Sequence, residues 1–234
     1  LGYGSTSSNA QPKGVTVKGL TNAVDLWSAD GHSCATVKTG EVYCWGSNSD
    51  RRIADSTTTT FYAPVKKVGA MMGLAGGNRT VCWPAAKGTG WCTGDNFNGQ
   101  LGNGSTIDSG KPVQVVGPKG IVHVAGGGDH STALTMTGKL WTAGDNDNGQ
   151  LGIGSKLDSK KFVAVVIPGG KQVIQVRSGS NFTCVLLADG NVLCSGNGSS
   201  GEQGDGSTAD DLTFTAAAGP CTSLKQCNDG NACT

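Results

Sequence analysis

The stretch GDHSTALTMTGKLWTAGDN at residues 128–146 carries the reading of the fold. Two short runs rich in β-branched and aromatic residues flank Met136-Thr137-Gly138. Such a pattern predicts a β-hairpin closed by a type I turn with glycine at positive φ. Three further segments align with it: GHSCATVKTGEVYCWGSN from Gly31, NRTVCWPAAKGTGWCTGDN from Asn78 and NFTCVLLADGNVLCSGN from Asn181. Anchored at Cys34, Cys82, Thr132 and Cys184, the copies are 48, 50 and 52 residues apart.

Outward from each hairpin runs a polar glycine-rich loop. GDNFNGQLGNGST from Gly94 and GDNDNGQLGIGS from Gly144 are the clear copies; GSNSDRRIADST from Gly46 and GNGSSGEQGDGST from Gly196 are degraded ones. Two more short strands follow in each repeat, such as 112–116 with 121–126 and 162–166 with 172–178. A four-stranded unit of about fifty residues cannot bury both faces alone, so it must stack on its neighbours. Radial stacking of such sheets gives an all-β propeller of antiparallel blades. The copies place blades at about 12–45, 64–93, 112–143 and 162–195, with the start of a further blade at 212–216. Residues 1–11 read as the end of a preceding repeat, because LGYGST at 1–6 matches LGNGST at 101–106. Residues 12–216 are thus propeller repeats, and the segment at 217–234 is a cysteine-rich tail. About four blades are expected here, as part of a larger or assembled propeller.

The pattern G-x-x-H-S/T, a hairpin, W-G/A-G and then N-x-x-G-Q-L-G-x-G resembles the regulator of chromosome condensation repeat. The resemblance covers nearly the whole chain to about Phe214 and implies a propeller, usually of seven blades. The tail is similar to cysteine-rich modules of large secreted bacterial proteins.

Nine cysteines refine the picture. Cys34/Cys44, Cys82/Cys92 and Cys184/Cys194 are each ten residues apart, which sets them opposite one another across each hairpin. Opposed antiparallel residues have Cα atoms about 4.5–5.5 Å apart, within disulfide range. Thr132 and Thr142 hold both places in the third repeat, as a bridge lost as a unit requires. Zinc needs another pattern, since the CxxC pairs and a nearby histidine set are missing. Disulfides imply an oxidising compartment: secreted, extracellular or cell-surface. In the tail, Cys221, Cys227 and Cys233 are disulfide candidates odd in number.

Charge narrows the partners. Eighteen basic residues offset seventeen acidic ones for a net charge of +1. No clustered basic field is present to neutralise phosphates, so nucleic acid is not an expected partner. No apolar stretch reaches the ~20 residues of a membrane span. Elbow, zinc-protease and phosphate-loop motifs are all absent, so catalysis is not expected. His32 and His130 share one repeat position, which marks a packing role, and His123 lies in a strand with no evident partner. Asp145-Asn146-Asp147-Asn148-Gly149 imitates a calcium loop, but its twelfth position is Lys156; no cofactor is expected, with calcium the minor alternative. Trp91 and Trp141 share a position with Tyr43 and Leu193, as inter-blade core residues would.

These features point to a non-catalytic module that binds a protein partner through loops on a rigid scaffold. The most divergent loop is at 51–62, so Arg51, Arg52 and Tyr62, with Phe97 of the next loop, are the candidate binding residues. Open propeller edges add self-assembly into a surface fibre or layer. The alternative is an inhibitor of a secreted enzyme such as a β-lactamase, for which a bacterial propeller of similar repeat is the model. Nucleotide exchange on a small GTPase, the activity of the family's founding member, conflicts with a disulfide-bonded chain.

Overall fold

The computed structural model describes residues 2, 14–29, 31–53, 57–67 and 75–217. Cys221, Cys227 and Cys233 lie outside them. The first sheet is β1 (Ala23–Ala29), β2 (His32–Val37), β3 (Val42–Gly46) and β4 (Phe61–Lys67), in sequence order. The second holds β5 (Thr80–Ala85), β6 (Thr89–Gly94) and β7 (Ser109–Gln114). An isolated antiparallel bridge joins Ala75 to Cys82 on its inner side. The third comprises β8 (Ile121–Gly126), β9 (His130–Thr135), β10 (Leu140–Gly144) and β11 (Ser159–Ala164). The fourth comprises β12 (Val173–Ser178), β13 (Phe182–Leu187), β14 (Val192–Gly196) and β15 (Asp211–Ala216).

Each sheet is an antiparallel meander, and even its irregularities repeat. The inner pair slips register between Ala23 and Asp25, Ile121 and His123, and Val173 and Gln175. The third strand slips between Cys44 and Gly46, Cys92 and Gly94, Thr142 and Gly144, and Cys194 and Gly196. Bulges recurring at one repeat position are features of the unit, not accidents of one blade.

The sheets divide the chain one strand away from the repeat limits read in sequence. β7 pairs with β6, not with β8, so the strand at 112–116 closes the second sheet instead of opening the third. The strand at 162–166 likewise belongs with β10. A strand joins the partner that its preceding loop folds it back upon; the following connection, 115–120, only crosses to the next sheet.

Apolar residues are buried between sheets. Cys34, Val42, Ile53, Val81 and Trp83 form the first interface, with Trp27 and Trp91 packed on it. Leu101, Val124, Ala133, Ala143 and Phe162 dominate the second, against which Trp141 packs. Leu134, Leu140, Val176, Val185, Leu187, Leu193 and Phe214 dominate the third. The periodic aromatic position is therefore inter-blade, as expected. Each sheet thus depends on its neighbours for its core, the stacking logic of a repeat array.

Gly2 has a backbone conformation close to that of Gly102. Its φ is +71°, beside +61° at Gly102, and a Cβ on it would lie 2.7 Å from Trp45 Nε1, where one on Gly102 would lie 3.4 Å from Ala143, the residue at the same strand position as Trp45. Lys18 N donates to Gly2 O at 3.0 Å, matching Val116 N to Gly102 O at 2.9 Å.

The predicted cysteine pairs are disulfides. Cys34–Cys44, Cys82–Cys92 and Cys184–Cys194 are each bonded, with Cα atoms 4.1 Å apart. Each joins directly opposed residues of the blade's two central strands.

His130 locks the third sheet to the fourth. Its Nε2 lies 2.9 Å from Thr183 Oγ1, which donates onward to Gln150 O at 2.9 Å. Thr183 therefore accepts from His130, and Nδ1 carries no proton; it has no hydrogen-bond partner among the described residues. The pair has the atoms of a base and a nucleophile, but both side chains are fully buried, so it is a structural joint. Burial pushes the imidazole pKa down to about 4 from an ordinary 6.5. The unfolded chain takes up a proton below about pH 6.5, whereas the native ring refuses it until about pH 4. Stability therefore falls with acidification through that window, by on the order of 3 kcal/mol at its lower end. Urea unfolding at pH 7 and pH 4.5 should show this loss, and His130→Gln should show a smaller one. Equal losses would mean the ring is protonated in the native state.

Candidate binding face

The long loops after β3, β6, β10 and β14 share one end of the sheets, and their rigidity begins with a buried asparagine. Asn96 Oδ1 accepts Leu101 N at 2.9 Å, and its Nδ2 donates to Ser105 O at 2.9 Å and Ile107 O at 3.1 Å. Asn146 repeats this with Leu151 N, Ser155 O and Leu157 O at 2.9, 2.7 and 3.1 Å. Asn48 does so with Ile53 N at 2.8 Å and Thr57 O at 2.7 Å. One amide thus satisfies several loop backbone groups that burial would otherwise leave unpaired. Gly198 holds this position in the fourth loop, and Gln203 takes over from a neighbouring site. Its Nε2 donates to Gly196 O at 2.6 Å and Asn197 O at 3.0 Å.

A second layer fixes the loop tip. Gln100 Oε1 accepts Asn98 N at 3.0 Å, its Nε2 donates to Asp95 Oδ1 at 2.9 Å, and that oxygen also accepts Phe97 N at 2.9 Å. Phe97 therefore has a held backbone and a side chain facing solvent. The loop then crosses to the next blade, where Asn103 bridges Lys161 and Ile153 bridges Thr213.

The four candidate residues separate. Phe97 is on this face at 79% exposure, joined by Ile107 at 76% and Leu157 at 75%, which sequence reasoning did not single out. The signal was available, because both precede the aspartates Asp108 and Asp158 at equivalent places in intact loops. Arg51 is exposed and holds the glycine position of the GQLG motif with φ +57°. Arg52 is a correction: it is buried, at 6% exposure, and its guanidinium bonds Asn78 O, Ser49 Oγ and the Asp50 carboxylate. It fills the Gln100 position as a loop pin and offers nothing to a partner. Tyr62 is also a correction, because it sits on the outer strand β4 and not on a loop.

Acidic groups complete the face. Burial raises the Asp129 pKa, opposed first by Arg79, whose guanidinium lies 3.5 Å from Asp95. Burial likewise raises Asp145. The carboxylates of Asp145, Asp147 and Asp158 lie within 4.8 Å of one another. Asp145 accepts Asp147 N at 3.2 Å and Gln150 Nε2 at 2.8 Å, and Asp158 accepts Asn146 N at 2.8 Å. These are turn-capping bonds.

A meander of stacked blades with one face of pinned loops defines a β-propeller scaffold. The chain belongs to the regulator of chromosome condensation (RCC1) repeat family: one form of the repeat matches residues 87–134 and 137–186, and a second matches 30–51, 121–150 and 173–202. It is similar to the human E3 ubiquitin-protein ligase HERC2, 34% identical over 219 residues, which cover 89% of this chain and 4% of that protein. The Arabidopsis thaliana ultraviolet-B receptor UVR8 is 29% identical over 220 residues, covering 91% of this chain and 50% of that one. Prp20p of Saccharomyces cerevisiae, whose structure was described with its binding to Gsp1p and histones, superposes with a TM-score of 0.76 at 19% identity. That match covers 86% of this chain and 51% of the yeast one. The chain thus spans about half of the length of UVR8 and Prp20p and a small part of HERC2.

Proposed function

We propose that the chain is a non-catalytic, extracellular protein-binding module that recognises its partner through the loop face. The carrying observation is the set Phe97, Ile107 and Leu157, large apolar side chains exposed on loops whose backbones are held by buried amides. Apolar groups on a pre-organised backbone suit an interface, since little freedom is lost on binding. The three disulfides support an oxidising compartment. Binding of Prp20p to other proteins, noted above, agrees with a propeller used for recognition.

The test compares wild type with Phe97→Ala/Leu157→Ala in affinity capture from the source's extracellular fluid. A species retained by wild type should be lost, or bound at least about tenfold more weakly, in the double variant. The same set held equally by both proteins would end the loop-face reading. Of the two loop aromatics that the inhibitor alternative invoked, Phe97 remains on a loop and Tyr62 is on a strand.

One observation favours a second mode, self-assembly. Leu26 on β1 is 68% exposed, whereas its repeat equivalents Val124 and Val176 are 2% and 0% exposed. It lies on the face that in later blades receives the preceding sheet. Sedimentation should show association that Leu26→Glu weakens; a monomer at all concentrations would refute this mode.

A further inference from the structure

The innermost strands converge on a groove of about 660 Å³, lined by residues 25–29, 75–78, 123–127 and 177–180 of the four sheets. Much of the lining is glycine backbone, at Gly76, Gly77, Gly126, Gly127 and Gly179. An apolar ligand would meet few side chains there; a polar chain would meet carbonyls and amides.

Arg177 enters this groove from β12. Its Nη1 donates to Val176 O at 2.8 Å and lies 3.3 Å from His123 Nε2 on β8. An arginine can only donate, so the histidine accepts. Burial first, and the guanidinium second, hold His123 below its ordinary pKa and so neutral. His123, which showed no partner in sequence, thus fixes the arginine without cancelling its charge. Arg52 and Arg79 have carboxylate partners, whereas Arg177 has no ion pair among the described residues. Beside it, Ser178 Oγ is buried and has no hydrogen-bond partner among the described residues. Asp25 lies on the blade-one wall, where its Oδ1 accepts Leu26 N at 2.9 Å.

We propose that the axial groove docks an extended peptide segment bearing an aspartate or glutamate, whose carboxylate is anchored by Arg177. A guanidinium fork matches a carboxylate in two parallel bonds, and a partly enclosed groove strengthens them. Asp25 repels the acid from the far wall and so sets its direction. This site is separate from the loop face and does not rest on that reading.

The probe is a fluorescein-labelled, end-blocked nonapeptide of three Gly-Ser-Asp units, compared by anisotropy with its Gly-Ser-Asn counterpart. The aspartate peptide should bind at least about tenfold more tightly. Arg177→Gln should remove that preference, and Arg177→Lys should keep part of it, because the charge remains but the fork is lost. Asp25→Asn should tighten binding, and Phe97→Ala should leave it unchanged. Melting curves of both Arg177 variants should match wild type, since that side chain is exposed. Equal binding of the two peptides, no binding of either, or an unaltered Arg177→Gln variant would overturn the proposal. So would tighter Arg177-dependent binding of a fluorescein-labelled single-stranded oligonucleotide, which would reassign the groove to phosphate.

Discussion

Gly127→Ala is expected to destabilise the propeller by about 3 kcal/mol or more, an unusually large effect for one added methyl. The residue lies just past β8, where three blades' worth of backbone meet. A Cβ there would lie 2.0 Å from His130 Cε1, 2.4 Å from its Nδ1 and 2.5 Å from Gly179 O. None of these can retreat. His130 is held by Thr183, and Gly179 N is bonded to Phe182 O at 3.0 Å. Gly127 itself is bonded on both sides, accepting Asn78 N at 3.0 Å and donating to His130 O at 2.8 Å. The methyl must therefore separate the third blade from the fourth. Gly14→Ala is the control, because nothing lies within 4 Å of its added Cβ. His130→Ala in the Gly127→Ala background should recover part of the loss, since it removes the nearest obstacle but leaves Gly179 O. Strict additivity in urea unfolding would show that the ring and the glycine are not in conflict.

Much of this interface was legible in the sequence, and the remainder fails for a physical reason. The hairpins and the Cys34/Cys44-type pairs depend only on a short turn and on two-residue alternation, which a linear pattern displays. The grouping of β7 with β6 depends on where a long loop returns the chain, and proximity in sequence pointed to β8 instead. Arg52 looked like surface because arginine usually is. Aligning it with Gln100 would have placed it as a buried pin, as Gly198 and Gln203 show that the loop tolerates exchange of pinning residues. The Arg177–His123 contact joins residues on different blades. It follows from how sheets stack about an axis, which no motif within one repeat records.

Replacing Cys184 and Cys194 together with threonine should cost about 2–3 kcal/mol, the loop-closure value for a bridge spanning ten residues. Threonine is the informative substitute because the third blade already uses it. There Thr132 Oγ1 donates to Ala125 O at 3.3 Å and Thr142 Oγ1 to Leu151 O at 2.9 Å. The corresponding acceptors in the fourth blade are Arg177 O and Gln203 O, so the hydroxyls need not be left unpaired. What is lost is then the cross-link and not the packing. The reverse change supplies the sign check. Thr132 and Thr142 are directly opposed, like the cysteine pairs, so Thr132→Cys/Thr142→Cys should close a further bridge and raise stability by a similar amount. Reductant should abolish that gain and should destabilise wild type much more than either threonine-bearing blade predicts alone. Hydrogen exchange of the β13 and β14 amides localises the effect, because a repeat array can open blade by blade. If urea midpoints of wild type are the same with and without reductant, the bridges add nothing to the fold. The disulfides would then give an extracellular location no physical support.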